Sequence, residues 1–302
     1  MNAIAEVKYF PQTPSEQLEA RFDAEFGVLW HFMKPKPRPV FNLQLLSELR
    51  AFHANIEQHG GLWNNDQESR ISYLVLGSKV PGIYNLGGDL TLFREAIILK
   101  DRQRLLDYGR NCIDNMYPWS RNLDLPLTTI GLVEGDALGG GFECALSASV
   151  LVATESARMG FPEVLFNLFP GMGAYSFLAR KIGRRSAEEL ICGGNLYTGR
   201  QLYEMGVVDV LAPDGAGEAA VYGFIKKHAK AANGRRAIEM IRREIEPVTR
   251  EELLRVVEIW ADAALRLTER DLRMMDRIVR AQIRGTQLEV VSTNITPLQL
   301  AS

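Results

Sequence analysis

The sequence predicts an α/β protein that ends in a helical region, and three observations carry that prediction. A short apolar strand followed by a glycine-rich turn and a helix-like stretch occurs twice, beginning near Tyr73 and again near Thr128. The apolar run Val150-Leu151-Val152-Ala153 supplies a further strand. From about Gly215 onward apolar residues recur at helical spacing among Arg and Glu, and Pro247 is the only proline between Glu218 and Gly285.

Taken in order, residues 1–19 carry Pro11 and Pro14 without a clear period and read as a loosely attached arm. Between Phe22 and Met33 the apolar residues favour a strand or hairpin, after which Pro35, Pro37 and Pro39 force an extended or turning connection. Leu43 to Ile56, apolar at 43, 45, 46, 49, 52 and 56, reads as an amphipathic helix. Tyr73 to Leu76 is a buried strand that runs into turns through Gly82 and then Asn85-Leu86-Gly87-Gly88-Asp89, with a helix-like stretch from Leu90. Thr128 to Val133 is another strand and ends in Gly139-Gly140-Gly141. Glu218 to Gly285 accommodates three or four helices. With no repeat and no low-complexity linker, the division is a core over 1–214 and a helical region over 215–302.

The 302 residues carry 35 Lys and Arg against 37 Asp and Glu, a formal charge of −2, and a pI near 6.2. No global field therefore draws the chain to nucleic acid or to an anionic membrane. Cys112, Cys144 and Cys192 are too scattered for a disulfide framework, and four dispersed histidines do not complete a zinc site, so no metal is expected. The N-terminus lacks an apolar signal region and no apolar run reaches about 18 residues, which predicts a cytoplasmic, soluble protein.

A glycine that opens a helix exposes the unpaired N–H groups of the first turn, and these can hold a developing negative charge. Neither Asn85-Leu86-Gly87-Gly88-Asp89 nor Leu138-Gly139-Gly140-Gly141-Phe142-Glu143 matches the phosphate-cradling or dinucleotide patterns. For one isolated cluster a tight turn is an equally good explanation. Glu143 follows the triple glycine among Ala145, Leu146 and Ala148, where a helix N-terminal Glu that favours the macrodipole is the plain alternative. Glu163, after Pro162 in an apolar stretch, is equally readable as a first-turn Glu behind an N1 proline. Together, two carboxylates in apolar settings and a glycine loop are what proton removal beside a carbonyl requires. A serine hydrolase is disfavoured by the lack of a Gly-x-Ser-x-Gly elbow and of any histidine near these motifs.

Asn85-Leu86-Gly87-Gly88-Asp89, Ala137 to Glu143, and Phe161-Pro162-Glu163 through Gly173 resemble, in order, the motifs of the crotonase (enoyl-CoA hydratase/isomerase) superfamily over roughly residues 20–285. The resemblance implies a spiral of ββα units and C-terminal helices that assemble a homotrimer and close the pocket. It places the oxyanion hole at the N–H groups of Gly88 and Gly140, puts the catalytic glutamates at Glu143 and Glu163, and calls for no cofactor. Asn167 stands where the family commonly has glycine, and Gly173-Ala174-Tyr175-Ser176-Phe177 replaces the usual hydratase ending. With Glu258-Ile259-Trp260, these departures look like the diffusible signal factor synthases of bacterial quorum sensing. That implies dehydration of a 3-hydroxyacyl chain on acyl carrier protein to a cis-2-enoyl chain, then thioester hydrolysis, with a sensor protein as a possible second partner. Leu138, Phe142, Met172 and Trp260 are the residues expected to line the acyl slot, Met172 and Trp260 being equally readable as ordinary core. The arginines of the tail, Arg235, Arg242, Arg250 and Arg273 among them, read first as an ion-paired face and second as a dock for acidic acyl carrier protein. A CoA-linked hydratase or isomerase, and a non-catalytic partner-binding protein, are the competing readings.

Overall fold

The computed structural model describes residues 15–63 and 69–280. Its first two strands, β1 (Leu18–Asp23) and β2 (Val28–Met33), form the expected hairpin, with Leu18 opposite Met33 and the reversal at Gly27, φ +61°. Every residue of β2 is buried, because it lies inside the sheet with helices over both faces. One of these is α1 (Leu43–Gln58), capped by Asn42, which accepts from Leu45 N at 2.8 Å.

The arm expected over residues 1–19 is corrected from Ser15 onward; the earlier residues, Pro11 and Pro14 included, lie outside the described ones. Ser15 Oγ and Gln17 N both donate to the Glu48 carboxylate on α1, at 2.5 and 2.8 Å, and Leu18 and Glu19 already pair in β1.

From β3 (Tyr73–Ser78) the chain settles into a repeating course. A strand of one sheet passes to a short strand of a second sheet and then to helix: β3 to β4 (Ile83–Asn85), β5 (Thr128–Val133) to β6 (Asp136–Leu138), β7 (Val150–Thr154) to β8 (Arg158–Gly160). After β9 (Leu196–Thr198) and β10 (Val210–Ala212) the sheets are complete, in the orders β1-β2-β3-β5-β7-β10 and β4-β6-β8-β9. This is the spiral of ββα units that the resemblance implies. At the β5–β6 corner only glycine fits at 135, where a Cβ would run into the Gly82 carbonyl.

The helix-like stretch from Leu90 is two helices, α2 (Leu90–Ile98) and α3 (Arg102–Ser120), separated at Lys100, whose φ is +54°. Next come α4 (Gly140–Leu146), α5 (Ala174–Ile182), α6 (Arg184–Gly193) and α7 (Gly199–Glu204). Beyond residue 214 lie α8 (Gly217–His228), α9 (Ala232–Ile245), α10 (Arg250–Ala264) and a helical run over 269–280. Val221, Phe224 and Ile225 of α8 share a core with Trp30, Ile130 and Val152 of the large sheet. α10 lies along α3 so closely that a Cβ at Gly109 would overlap Val257. Among the described residues no helix is long and apolar enough to cross a membrane.

The end of α3 is tied down by Asn122, one of three consecutive left-handed residues with φ between 53° and 56°. Its Oδ1 accepts from Thr129 N at 3.1 Å, Thr129 Oγ1 at 2.8 Å and Ser149 Oγ at 2.6 Å, and its Nδ2 donates to Glu239 Oε2 on α9 at 3.1 Å. Asn122→Ala would strand several buried donors and a buried carboxylate at once and should lower stability by about 2–3 kcal/mol. Urea unfolding measures this, and a loss below about 0.5 kcal/mol would show that the knot does not anchor α3.

Candidate active site

Three adjacent parallel strands deliver three loops to one place. β4, β6 and β8 lie side by side, with Asn85 beside Ala137 and Leu138 beside Gly160. The segments leaving their C-terminal ends are therefore neighbours: Leu86-Gly87-Gly88-Asp89, Gly139-Gly140-Gly141, and Phe161-Pro162-Glu163. This is where the crossovers of a parallel sheet leave room for a ligand.

The first loop is shaped by Asn85, whose Oδ1 accepts from Gly87 N at 2.8 Å while Gly87 takes φ +95°. Asp89 closes it by capping α2 through Thr91 N and Leu92 N, and its Oδ1 pairs with Arg38 at 2.6 Å. In the second loop Gly139 takes φ +52° and gives its N–H to Gly160 O at 2.9 Å, which leaves Gly140 as the first residue of α4 with its N–H outside the helix ladder. The loops nearly touch, for a Cβ on Gly140 would sit 3.4 Å from Gly88 N. Among the described residues no acceptor outside helices and strands takes the N–H of Gly88 or Gly140.

Glu143, one turn into α4, is buried, and its Oε1 accepts from Met172 N at 2.8 Å and Ala174 N at 2.9 Å at the start of α5. Burial pushes its pKa up to about 7, against the backbone bonds from Ala174, Met172 and Gly173 that favour the charged form. Glu163 stands in the first turn of a 3₁₀ segment, Pro162–Phe166, with its carboxylate against Gly139, where any Cβ would collide with it. Its Oε2 is sealed from solvent and has no partner among the described residues. Burial, and then the neighbouring Glu143 charge, push its pKa up to about 8. Glu143 is thus the carboxylate that carries charge, and Glu163 the one that keeps a proton. Burial likewise pushes the Cys112 and Cys144 thiols up, so neither is a thiolate nucleophile.

Asn167 ends the 3₁₀ segment in the left-handed region, φ +61°. Asn is one of the few side chains that adopt it readily, so the departure from glycine keeps the local backbone course.

Both carboxylates belong to a narrow cavity of about 70 Å³ with mainly apolar walls. Met172 and Trp260 line it. Trp260 presses on Gly171, where no side chain would fit, and meets Phe93 edge-on at 4.9 Å. Leu138 and Phe142 do not line it. Phe142 stacks on Phe161 at 5.0 Å inside the core, and Leu138 packs against the cluster of Val40, Ile83 and Leu86. The opposite wall, unread in the sequence, is a stripe of α3: Tyr108, Cys112, Asn115, Met116 and Trp119. Its i, i+4, i+7, i+8, i+11 spacing was the available signal.

His53 of α1 also lines the cavity, and its Nε2 lies 3.2 Å from His31 Nε2. Two of the four histidines therefore meet, and one stands at the site, contrary to their dispersion in sequence. Among the described residues no group of three or more His, Cys, Asp or Glu is placed to hold a metal ion. Several tail arginines are ion-paired, Arg250 with Asp114 at 2.7 Å, Arg273 with Glu269 at 3.4 Å and Arg235 with Glu239 at 3.9 Å.

Comparison with known proteins places this geometry. The family model described as enoyl-CoA hydratase/isomerase matches residues 31–273. The mitochondrial methylglutaconyl-CoA hydratase of Mus musculus is 32% identical over 154 residues, 51% of this chain and 47% of that protein. The fatty acid oxidation complex subunit alpha of Vibrio cholerae serotype O1 is 30% identical over 151 residues, 49% of this chain and 20% of that protein. The chain thus spans less than half the length of these relatives. Human mitochondrial delta3-delta2-enoyl-CoA isomerase superposes with a TM-score of 0.72 at 17% identity, covering 89% of this chain and 99% of that one. Pseudomonas aeruginosa DspI superposes with a TM-score of 0.65 at 21% identity, covering 80% and 93%. At those identities the two structures speak for the fold. With its family match running through both glycine loops, both glutamates and α10, the chain belongs to the enoyl-CoA hydratase/isomerase family and has the crotonase fold.

Proposed function

We propose that this protein dehydrates a 3-hydroxyacyl chain carried on acyl carrier protein and then hydrolyses the enoyl thioester, releasing a cis-2-unsaturated fatty acid signal of the diffusible signal factor class. One observation carries the chemistry: two buried carboxylates of unequal proton affinity flank converging glycine loops at one wall of an apolar cavity. The choice of carrier and product rests on the subfamily resemblance.

In this reading the thioester oxygen accepts from Gly88 N–H and Gly140 N–H, each such donor being worth about 3–4 kcal/mol to a developing oxyanion. Ionised Glu143 takes the α-proton, the electron pair moves toward the carbonyl and returns to form the Cα–Cβ double bond, and protonated Glu163 hands its proton to the β-hydroxyl as the C–O bond breaks. The step starts from the distribution the backbone favours, because two N–H bonds hold charge on Glu143 Oε1 while Glu163 Oε2 has none among the described residues. Water leaves, with Glu143 protonated and Glu163 ionised. Glu163 then accepts a proton from a second water whose oxygen bonds to the carbonyl carbon, and the C–S bond breaks as Glu143 gives its proton to the departing thiolate, which restores the starting distribution. The reverse of the first half, addition of water to an enoyl-CoA, is the second reading, and the hydratase named among the relatives favours it. A scaffold that binds a sensor protein without turnover is the third.

An oligomer fits the outer face of α9, where Ile241 is 55% and Ile245 72% exposed alongside Ile238. Such an apolar stripe is normally covered. A homotrimer is the assembly the resemblance implies.

Three measurements test these proposals. With 3-hydroxyacyl chains on acyl carrier protein and on CoA, mass spectrometry should find free cis-2-enoic acid from the former, and Glu143→Gln and Glu163→Gln should each reduce its formation about 10²–10⁴-fold. Reversible hydration of enoyl-CoA alone would instead establish the second reading, and no turnover on either carrier the third.

The glutamates also leave a mark on stability. Their folded pKa values, about 7 and about 8, exceed the ordinary 4.5, so the stability they allow below 4.5 is lost as pH rises through 7–8. Glu163→Gln should therefore be the more stable form above pH 8, by on the order of 1 kcal/mol, and equal to wild type below pH 4. Thermal melts across that range give the answer, and parallel pH profiles would refute the shift.

Finally, Ile241→Glu combined with Ile245→Glu should convert the assembly to monomers in light scattering after size exclusion, whereas an unchanged mass would remove α9 from the interface.

A further inference from the structure

The cavity is apolar along its middle and polar at its far end. Tyr108 marks the near end, since its hydroxyl takes the N–H of Asp89 at 3.3 Å, next to the Gly88 loop. Asn115 and Trp119 lie seven and eleven residues further along the same stripe of α3, about 10 and 16 Å away at helical rise. Leu46, Leu49, Leu76 and Met116 line the cavity as well. His53 closes the polar end, stacked on Trp119 with ring centroids 5.4 Å apart.

These three residues share an anomaly. His53, Asn115 and Trp119 are all at least nine-tenths buried, and His53 Nδ1, Asn115 Oδ1 and Trp119 Nε1 have no hydrogen-bond partner among the described residues. Asn115 spends its amide on Leu46 O at 3.1 Å and Asn111 O at 2.9 Å, which orients the bare oxygen. His53 Nε2 is engaged with His31 Nε2 at 3.2 Å, and burial keeps both rings neutral, His31 being pushed down to about 3. One ring donates in that contact and the other accepts, so His53 Nδ1 is the complement of whichever role its Nε2 plays. Trp119 Nε1–H is a donor and Asn115 Oδ1 an acceptor in either case. Buried polar atoms left unpaired in an otherwise apolar slot are unfavourable unless a ligand pairs them.

We propose that this cluster is a distal subsite for an acyl chain bearing a hydroxyl near its far end, so that the preferred substrates are hydroxylated chains rather than plain ones. The proposal rests on the acyl-chain reading above and names the substrate class for it. A hydroxyl both gives and takes a hydrogen bond, which is what a donor and an acceptor side by side require. A terminal carboxylate does not fit, because among the described residues no Lys or Arg lines the cavity and burial keeps both histidines neutral. An extended chain advances about 3.6 Å per three bonds, so the subsite lies on the order of ten bonds from the thioester carbonyl.

Isothermal titration of the full-length protein with plain fatty acids and their ω-hydroxy counterparts, at eight, ten, twelve and fourteen carbons, tests this. At one of these lengths the hydroxy acid should bind at least about tenfold tighter than its plain partner. Trp119→Phe, which keeps an aromatic ring and removes the donor, should shrink that ratio below about threefold. Plain acids binding as tightly or more tightly at every length, as a subsite that only stores water would give, overturns the proposal, and so does failure of both series to bind. If Trp119→Phe does not fold, the wild-type ratio decides alone. A clear hydroxyl preference without turnover of any acyl thioester would leave the subsite standing and remove the catalytic reading instead.

Discussion

The placement of two carboxylates away from water is the constraint on which the rest of the site depends. Burial alone would leave Glu143 and Glu163 both neutral, since an ionised carboxylate loses hydration that apolar walls do not replace. The structure breaks that symmetry with backbone. Met172 N and Ala174 N are fixed at the start of α5, and both point at one oxygen of Glu143. Glu163 receives no such help at Oε2, and it feels the negative charge of its neighbour. Difference in proton affinity is therefore built from the course of the chain and needs no third titrating side chain. The glycines follow from the same constraint. Gly139 must lack a Cβ for the Glu163 carboxylate to lie against it, and Gly141 must lack one for the Asn85 carbonyl to pass. The close approach of these glycine backbones is held by the short parallel strands behind the site, which keep the loops in register.

Much of this was legible before any coordinates. The hairpin, α1, β3, β5 and β7 follow from apolar periodicity, and the three motif loops follow from glycine and proline placement. What the linear pattern could not supply is adjacency. The three loops are distant in sequence and meet only because β4, β6 and β8 are consecutive strands of one sheet. Those strands are three residues long, too short to show an alternation. The polar members of the cavity wall, His53 on α1 and Asn115 on α3, were hidden for a different reason. His53 and Asn115 are polar residues on otherwise apolar faces, and in one dimension such residues cannot be told from solvent-facing ones.

The misplacement of Leu138 and Phe142 has a plain geometric cause. Successive residues of a helix point about 100° apart, so once Glu143 faces the cavity its neighbour Phe142 faces elsewhere, and it finds Phe161 in the core. In β6 the side chain of Leu138 falls on the other face and joins Ile83 and Leu86. Proximity in sequence to a glycine loop is thus a poor guide to what lines the pocket, whereas spacing by turns on a neighbouring helix is a good one.

The helical region beyond residue 214 serves two faces at once. Inward, Trp260 of α10 and Ile278 of the last described helix complete the cavity wall, and the absence of a side chain at Gly171 is what lets Trp260 reach it. Outward, α9 presents Ile238, Ile241 and Ile245 to solvent. Polar contacts join α9 to the end of α3, where Arg243 Nη1 donates to Arg121 O at 2.9 Å. Glu239, on α9 between those isoleucines, holds Asn122, and Asn122 fixes the turn that follows Trp119 at the end of α3. Asn122 thus ties α9 to the end of α3 where Trp119 lies, near His53 and Asn115, whereas the glutamates are held by a separate set of backbone contacts at the start of α5.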